Sequence, residues 1–195
     1  MATVILRPDT EISSGSWNNE SGSGFNVAKI NDSSNSTYVY NASANQSFRV
    51  SLDNTSGLTG ATFNNFVVTA IFQKHGGKGA DASFEVNIGD SSSITTFGSI
   101  SDTTFVTTSS SPTTINAGSI NFAGGVSASD IDDMRVEVVC TDSTQSRIFE
   151  LFVTIDYTSG GGSGYGNDIN SVASSTIGKV NSVATANINK IIGVS

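Results

Sequence analysis

The chain has 195 residues, room for one domain of about a dozen short strands plus an appendage. Hydrophobic residues are 36% and charged residues only 13%, which excludes bulk disorder, since disordered chains pair low hydrophobicity with high charge. The net charge is −8 and the 9 Lys and Arg are scattered, so the clustered cations that grip nucleic acid are missing.

The first element is Thr3-Val4-Ile5-Leu6-Arg7-Pro8, a strand expected to stop at the proline. Met1 to Pro8 lacks the charged start and long apolar stretch of an export signal. No run of 18 or more apolar residues follows. The expectation is a chain made in a cytoplasm and not exported by the usual route. Gly, Ser and Asn dominate up to Gly24, with Trp17 alone among them. A Trp in such a loop packs over a sandwich end or stacks on a ligand.

Thr37–Tyr40 and Ser47–Leu52 alternate with period two, as half-buried strands do. Asn65–Lys74 is apolar on both faces and reads as a central strand. Ser83–Ile88 alternates again, and Thr-rich strands are expected near Ile94–Phe97, Thr104–Thr108 and Ser119–Phe122. The segment Ser127–Met134 is a helical turn, with Ser129 or Asp130 as its cap. Arg135–Thr141 and Arg147–Tyr157 then read as a closing pair of strands. Many short strands broken by turn signals, with no strand–helix alternation, predict an all-β antiparallel sandwich, jelly-roll-like, over residues 1–158.

Residues 159–168 form a Gly/Ser linker by composition. Beyond it, Ile169–Lys179 aligns with Val180–Lys190, and a third copy opens at Ile191, a period of 11 residues. The apolar positions Ile169, Val172, Ile177, Val180, Val183, Ile188, Ile191 and Val194 recur at matched places. Eleven residues is close to three helical turns, yet Asn, Ser, Thr, Val and Gly are poor helix formers, which favours short extended segments with tight turns. Two and a half such repeats cannot bury a core alone. Residues 169–195 are therefore expected to be a docking tail that needs a partner.

Residues that carry chemistry elsewhere have bland readings here. Cys140, the single cysteine, excludes an intrachain disulfide and reads as a buried thiol in an alternating strand. His75, the single histidine, sits at a strand end beside glycines, without a nucleophile-elbow motif. Gly76-Gly77-Lys78-Gly79 lacks phosphate-loop spacing and reads as a hairpin turn. Asp130, Asp132 and Asp133 read as a capped helical turn rather than a calcium loop. Glu85 and Glu137 would be a glycosidase pair only if they faced one cleft. No cofactor or metal, and no enzyme activity, is expected.

Two stretches carry a resemblance. The opening Ala2–Pro8, with its Leu6-Arg7-Pro8, the turn Ala128–Val136, and the strand Leu151–Tyr157, with its V-x-x-D-Y ending, resemble a jelly-roll module of tailed-phage and marine-virus structural proteins. Where that module carries a Trp before the turn, this chain has Val126-Ser127. The tail segments Ile177–Ala184 and Ile188–Val194 resemble repeats that end phage tail and virion proteins. The resemblance implies a virion structural protein (capsid decoration, neck or tail accessory) whose partners are other virion proteins and copies of itself. The competing reading is a carbohydrate-binding or adhesive module in which Trp17, Tyr38, Tyr40 and Tyr165 stack on host-surface glycans. A cell-wall hydrolase is the third, and needs two carboxylates in one groove.

Overall fold

The structure, a computed structural model, describes residues 1–159 apart from 42, 56, 75–80, 123 and 143–144, together with 179–180 and 183–184. Chain order runs β1 (Ala2–Leu6), β2 (Pro8–Ser13), β3 (Asn18–Asn19), a turn of 3₁₀ helix (Val27–Lys29), β4 (Val39–Asn41) and β5 (Gln46–Leu52). It continues through β6 (Thr62–Lys74), β7 (Ala82–Gly89), β8 (Gly98–Thr107), β9 (Thr113–Asn116) and β10 (Ile120–Asn121). The sandwich ends with α1 (Ala128–Asp132), β11 (Arg135–Cys140) and β12 (Ser146–Thr158). Further on, β13 (Lys179–Val180) and β14 (Val183–Ala184) pair with each other.

All sandwich pairings are antiparallel, and they are nested. β1 pairs with β12, β5 with β11, β6 with β9, and β7 with β8, so the chain resembles one long hairpin whose tip lies between β7 and β8. Rolling that hairpin lets β12 pair with β6 and β11 with β7, which splits the strands into two sheets. One runs β10-β6-β12-β4-β3 with β1 and β9 alongside, the other β2-β5-β11-β7-β8. This is the wrap of a jelly roll, and it makes the protein an all-β antiparallel sandwich.

Alternation decides which residues fill it. β5 sends Phe48, Val50 and Leu52 inward, β11 sends Val136, Val138 and Cys140, and β7 sends Phe84, Val86 and Ile88. From the other sheet come Phe66, Val68, Ala70 and Phe72 of β6, and Leu151, Val153 and Ile155 of β12. The sheets meet where Phe72 lies edge-on to Phe84 at 4.8 Å, while Phe84 stacks on Phe105 at 4.8 Å. Each such buried ring contributes about 2 kcal/mol of burial. β12 carries a bulge between Ile148 and Glu150, and beyond it the inward set resumes at Leu151.

Several expectations are corrected. Pro8 does not end a strand but begins β2, while Leu6 closes β1 in the opposite sheet. The chain crosses between sheets at Arg7, a position where the missing N–H of Pro8 breaks no inner ladder. Arg135–Cys140 and Ser146–Thr158 are not a paired couple, because β11 and β12 lie in different sheets. Residues 94–97 form turns rather than a strand, and β8 starts at Gly98. The helical cap is Ser127, not Ser129 or Asp130. Among the described residues no helix is long and apolar enough to cross a membrane.

Candidate functional site

Of the four proposed glycan contacts two come together, Trp17 lies elsewhere, and Tyr165 is outside the described residues. Tyr40 lies on β4 opposite Arg147 of β12, on the outer face of the first sheet. Tyr38 sits 6.2 Å from Tyr40 and 5.3 Å from Phe149, and the Arg147 guanidinium covers its ring at 4.4 Å. Both tyrosines are half-buried, and Phe149 is only 3% exposed. The bulge in β12 makes this cluster, because it brings Phe149 and Glu150 to the outer side in succession. Trp17 is elsewhere and 2% exposed. Its ring lies edge-on to Phe48 at 4.9 Å, and its Nε1 donates to the Gln46 carbonyl at 3.2 Å. A ring held in the core on both counts cannot serve as a stacking platform, so Trp17 leaves the set of glycan contacts.

Next to the aromatic cluster, Glu150 is a buried carboxylate, 3% exposed. Arg7 Nη1 donates to its Oε2 at 2.6 Å and the Ser34 N–H donates to its Oε1 at 3.0 Å. The Arg7 guanidinium in turn lies 5.2 Å from the Phe152 ring centroid. The loop after the 3₁₀ turn is held against β12 here, since the Leu151 N–H donates to the Ile30 carbonyl at 3.0 Å.

Glu85 and Glu137 do share the outer face of the second sheet. Glu137 is paired with Arg49 on one side and Asn87 on the other, and Asn87 is paired with Ser99. Their side chains form one row across β5, β11, β7 and β8: Arg49 Nη2 donates to Glu137 Oε1 at 3.1 Å, Asn87 Nδ2 to Glu137 Oε2 at 3.2 Å, and Ser99 Oγ to Asn87 Oδ1 at 2.7 Å. Ser99 Oγ also lies 3.2 Å from Glu85 Oε1. Both carboxylates are therefore tied into a ladder of hydrogen bonds along a sheet face.

The three acids of the helical turn hold loops together. Asp130 completes a capping box with Ser127, and its Oδ2 accepts from the Ser127 N–H at 2.8 Å. Asp132 Oδ1 accepts from the Thr55 hydroxyl at 2.6 Å and from the Thr55 N–H. Asp133 Oδ2 accepts from the Ser91 N–H at 3.0 Å and from the Ser91 hydroxyl. The hydroxyls of Ser127 and Ser91 hold the Asp130 and Asp133 carboxyls below the usual aspartate value of 3.8. Among the described residues no group of three or more His, Cys, Asp and Glu is placed to hold a metal ion. Cys140 is buried, its Sγ donates to the Asp142 carbonyl at 3.2 Å, and burial pushes its thiol above 9.0.

Two open grooves flank the sandwich. One, of about 280 Å³, runs between β8 and the β9–β10 connection and is lined largely by serines and threonines. The other, of about 360 Å³, lies between residues 60–63 and the segment leading into α1. Neither was legible in the sequence, because each joins segments far apart in the chain.

In the tail, Val180 is the Cα partner of Val183, and Lys179 of Ala184, in an antiparallel pair of extended segments. The remaining docking positions Ile169, Val172, Ile177, Ile188, Ile191 and Val194 lie outside the described residues, as do Tyr165, His75 and the Gly76–Gly79 turn. Comparison with protein-family models, curated proteins and solved structures finds no match to this chain. The class that the fold defines is a jelly-roll sandwich, with an aromatic cluster on one sheet and a polar ladder on the other.

Proposed function

We propose that the chain is a non-enzymatic structural subunit of a tailed-phage virion, a capsid decoration, neck or tail accessory protein, which docks through its C-terminal repeats. The observation that carries this reading is the tail: matched Ile and Val positions recur every 11 residues behind a Gly/Ser linker. Regular apolar rows left in water would forfeit on the order of 1 kcal/mol per side chain, so such a row marks an interface. The jelly-roll wrap supports the reading at the level of fold, being an architecture shared by viral capsid domains. The reading places the protein in the virion, bound to other virion proteins and to copies of itself. Co-purification with assembled particles in many symmetric copies is the expected result. Protein found free in the lysate and missing from purified particles would sink it.

One observation favours a second reading, a carbohydrate-binding module. Tyr38, Tyr40 and Phe149 form an aromatic cluster beside the Arg147 guanidinium on an outer sheet face. Phe149 is 3% exposed and Arg147 lies over the Tyr38 ring, so Tyr40 is the ring offered to a sugar's apolar face, with the Arg147 guanidinium near its hydroxyl rim. Binding on a glycan array that Tyr40→Ala removes would favour it, and a silent array would count against it.

A further inference from the structure

The 360 Å³ groove lies where β6 begins and β12 ends. Gly60 to Phe63 form one wall, and Phe122 with Gly124 to Ala128 form the other. The rings of Phe63 and Phe122 line it with centroids 6.4 Å apart, and among the described residues its lining carries no charged side chain. A Cβ placed on Gly60, Gly124 or Gly125 would meet nothing within 4 Å, so the glycines keep the mouth open. The uncharged lining is shared between Phe63, Phe122, Val126 and Ala128 on one hand and Thr62, Ser127 and backbone on the other, which suits an extended segment of mixed apolar and polar residues.

The chain itself delivers one. Thr158, the last residue of β12, is paired with Thr62 of the groove wall, and Asn64 Nδ2 donates to Thr158 Oγ1 at 3.3 Å. The polypeptide thus leaves the sandwich at the groove's rim. Linker residues 159–168 follow. A Gly/Ser chain of that length spans ~17 Å root-mean-square, which keeps Ile169 within reach of the rim. A tether so short sets an effective concentration on the order of millimolar. Even an intrinsic affinity as weak as about 1 mM would then fill the groove about half the time.

We infer that this groove seats the first tail repeat, residues 169–179, of the same chain, with Ile169 and Val172 laid over the outer edges of Phe63 and Phe122. The inference rests on the reading of the Ile/Val row as the docking element and gives that row a seat before assembly. The repeat is then held against its own sandwich until a virion partner offers a larger surface.

The test uses the full chain, ¹⁵N-labelled and dilute, with Ser171→Cys carrying a nitroxide. The native thiol of Cys140 is buried and stays unlabelled. The expected result is paramagnetic broadening concentrated on the amides of Ala61, Val126 and Ala128. Gly124→Trp, which fills the groove without a positive-φ conflict, should abolish that broadening. Uniform weak broadening, or broadening that survives Gly124→Trp, would overturn the seat. So would broadening that appears only when spin-labelled, unlabelled-nitrogen chains are mixed with ¹⁵N chains free of the nitroxide, since the occupant would then be a second copy. Particle incorporation separates the two levels. If the groove test fails while truncation after Gly166 still blocks incorporation, only the seat is wrong. If truncation leaves incorporation intact, the docking reading itself has failed.

Discussion

Arg7 and Glu150 are joined across the edge of the first sheet, Nη1 to Oε2 at 2.6 Å, with Glu150 only 3% exposed. Arg7 is the residue at which the chain passes from one sheet to the other, so this ion pair fixes the crossing onto β12. Removing Arg7 leaves a buried carboxylate that still accepts from the Ser34 N–H. Arg7→Met should therefore cost about 3 kcal/mol, the lower end for a broken buried pair, because Arg7 keeps some access to water. Arg7→Met/Glu150→Met should recover part of that loss, since no charge is then left buried. Urea midpoints of the two variants check this, and equal losses would contradict it.

Trp17 separates a core role from a ligand role. With its ring against Phe48 and its Nε1 on the Gln46 carbonyl, Trp17→Ala should destabilise by about 3–5 kcal/mol. Tyr40→Ala, at a half-buried outer position, should cost about 1 kcal/mol. Thermal melts of the pair give the comparison. A Trp17→Ala variant as stable as the parent would return Trp17 to the surface.

Much of the fold was legible because β5, β6, β7, β11 and β12 alternate strictly or run apolar on both faces. Their sheet assignment was not. Period two says that a strand has an inner face but not which sheet it joins, so β11 and β12 read as neighbours though they oppose each other. The turn at residues 94–97 was misread from its β-forming residues. It is made by backbone contacts within the β7–β8 connection: the Phe97 N–H donates to the Ile88 carbonyl, and Gly89 lies so close that a Cβ there would come within 2.0 Å of the Ser93 carbonyl oxygen. The short polar strands β3 and β9 have no hydrophobic pattern to betray them. Tyr38 and Tyr40 were legible as neighbours, and Arg147 meets them in regular register opposite Tyr40, but Phe149 joined them through a bulge that no periodicity announces.

The cap of α1 offers a local test. Ser127 and Asp130 satisfy each other's backbone groups, whereas Ser129 is exposed within the helix. Ser127→Ala should cost about 1 kcal/mol and Ser129→Ala close to nothing. Hydrogen exchange at the Asp130 and Ile131 amides should quicken in the first variant alone.

Acid should weaken the sandwich in a defined window. Asp90, Asp130 and Asp133 are held below the usual 3.8, by the Ser92, Ser127 and Ser91 hydroxyls first and by neighbouring backbone N–H groups next. Carboxyls with lowered folded values stabilise the fold fully above their unfolded value, and that contribution is lost as pH falls through the folded values. Urea midpoints should thus lose this contribution only as pH falls below about 4, with no change from these groups between pH 5 and 7. Asp133→Asn should flatten the acid limb, because it removes one titrating group and keeps an acceptor for Ser91. An unchanged limb would show that the Ser91 contact carries no linkage.

The sharpest division in the molecule is predicted to fall at the linker. The described core runs from Leu6 to Ile155, and the nested pairs close on each other between residues 2 and 158. Residues 1–158 expressed alone should therefore be soluble and melt in one cooperative transition with near-parental midpoint. The same piece should fail to join the particle, because the Ile/Val row lies beyond it. Val183→Asp with Ile188→Asp in the full chain should reproduce that failure with the sandwich intact, since a charge placed in an apolar interface stays unpaired and is costly there. Circular dichroism melts read the fold, and sedimentation with purified particles reads the docking. A molten 1–158 fragment would mean that the tail completes the core. A fragment that still joins particles would move the interface onto the sandwich, where the Tyr38–Tyr40 cluster is the next surface to mutate.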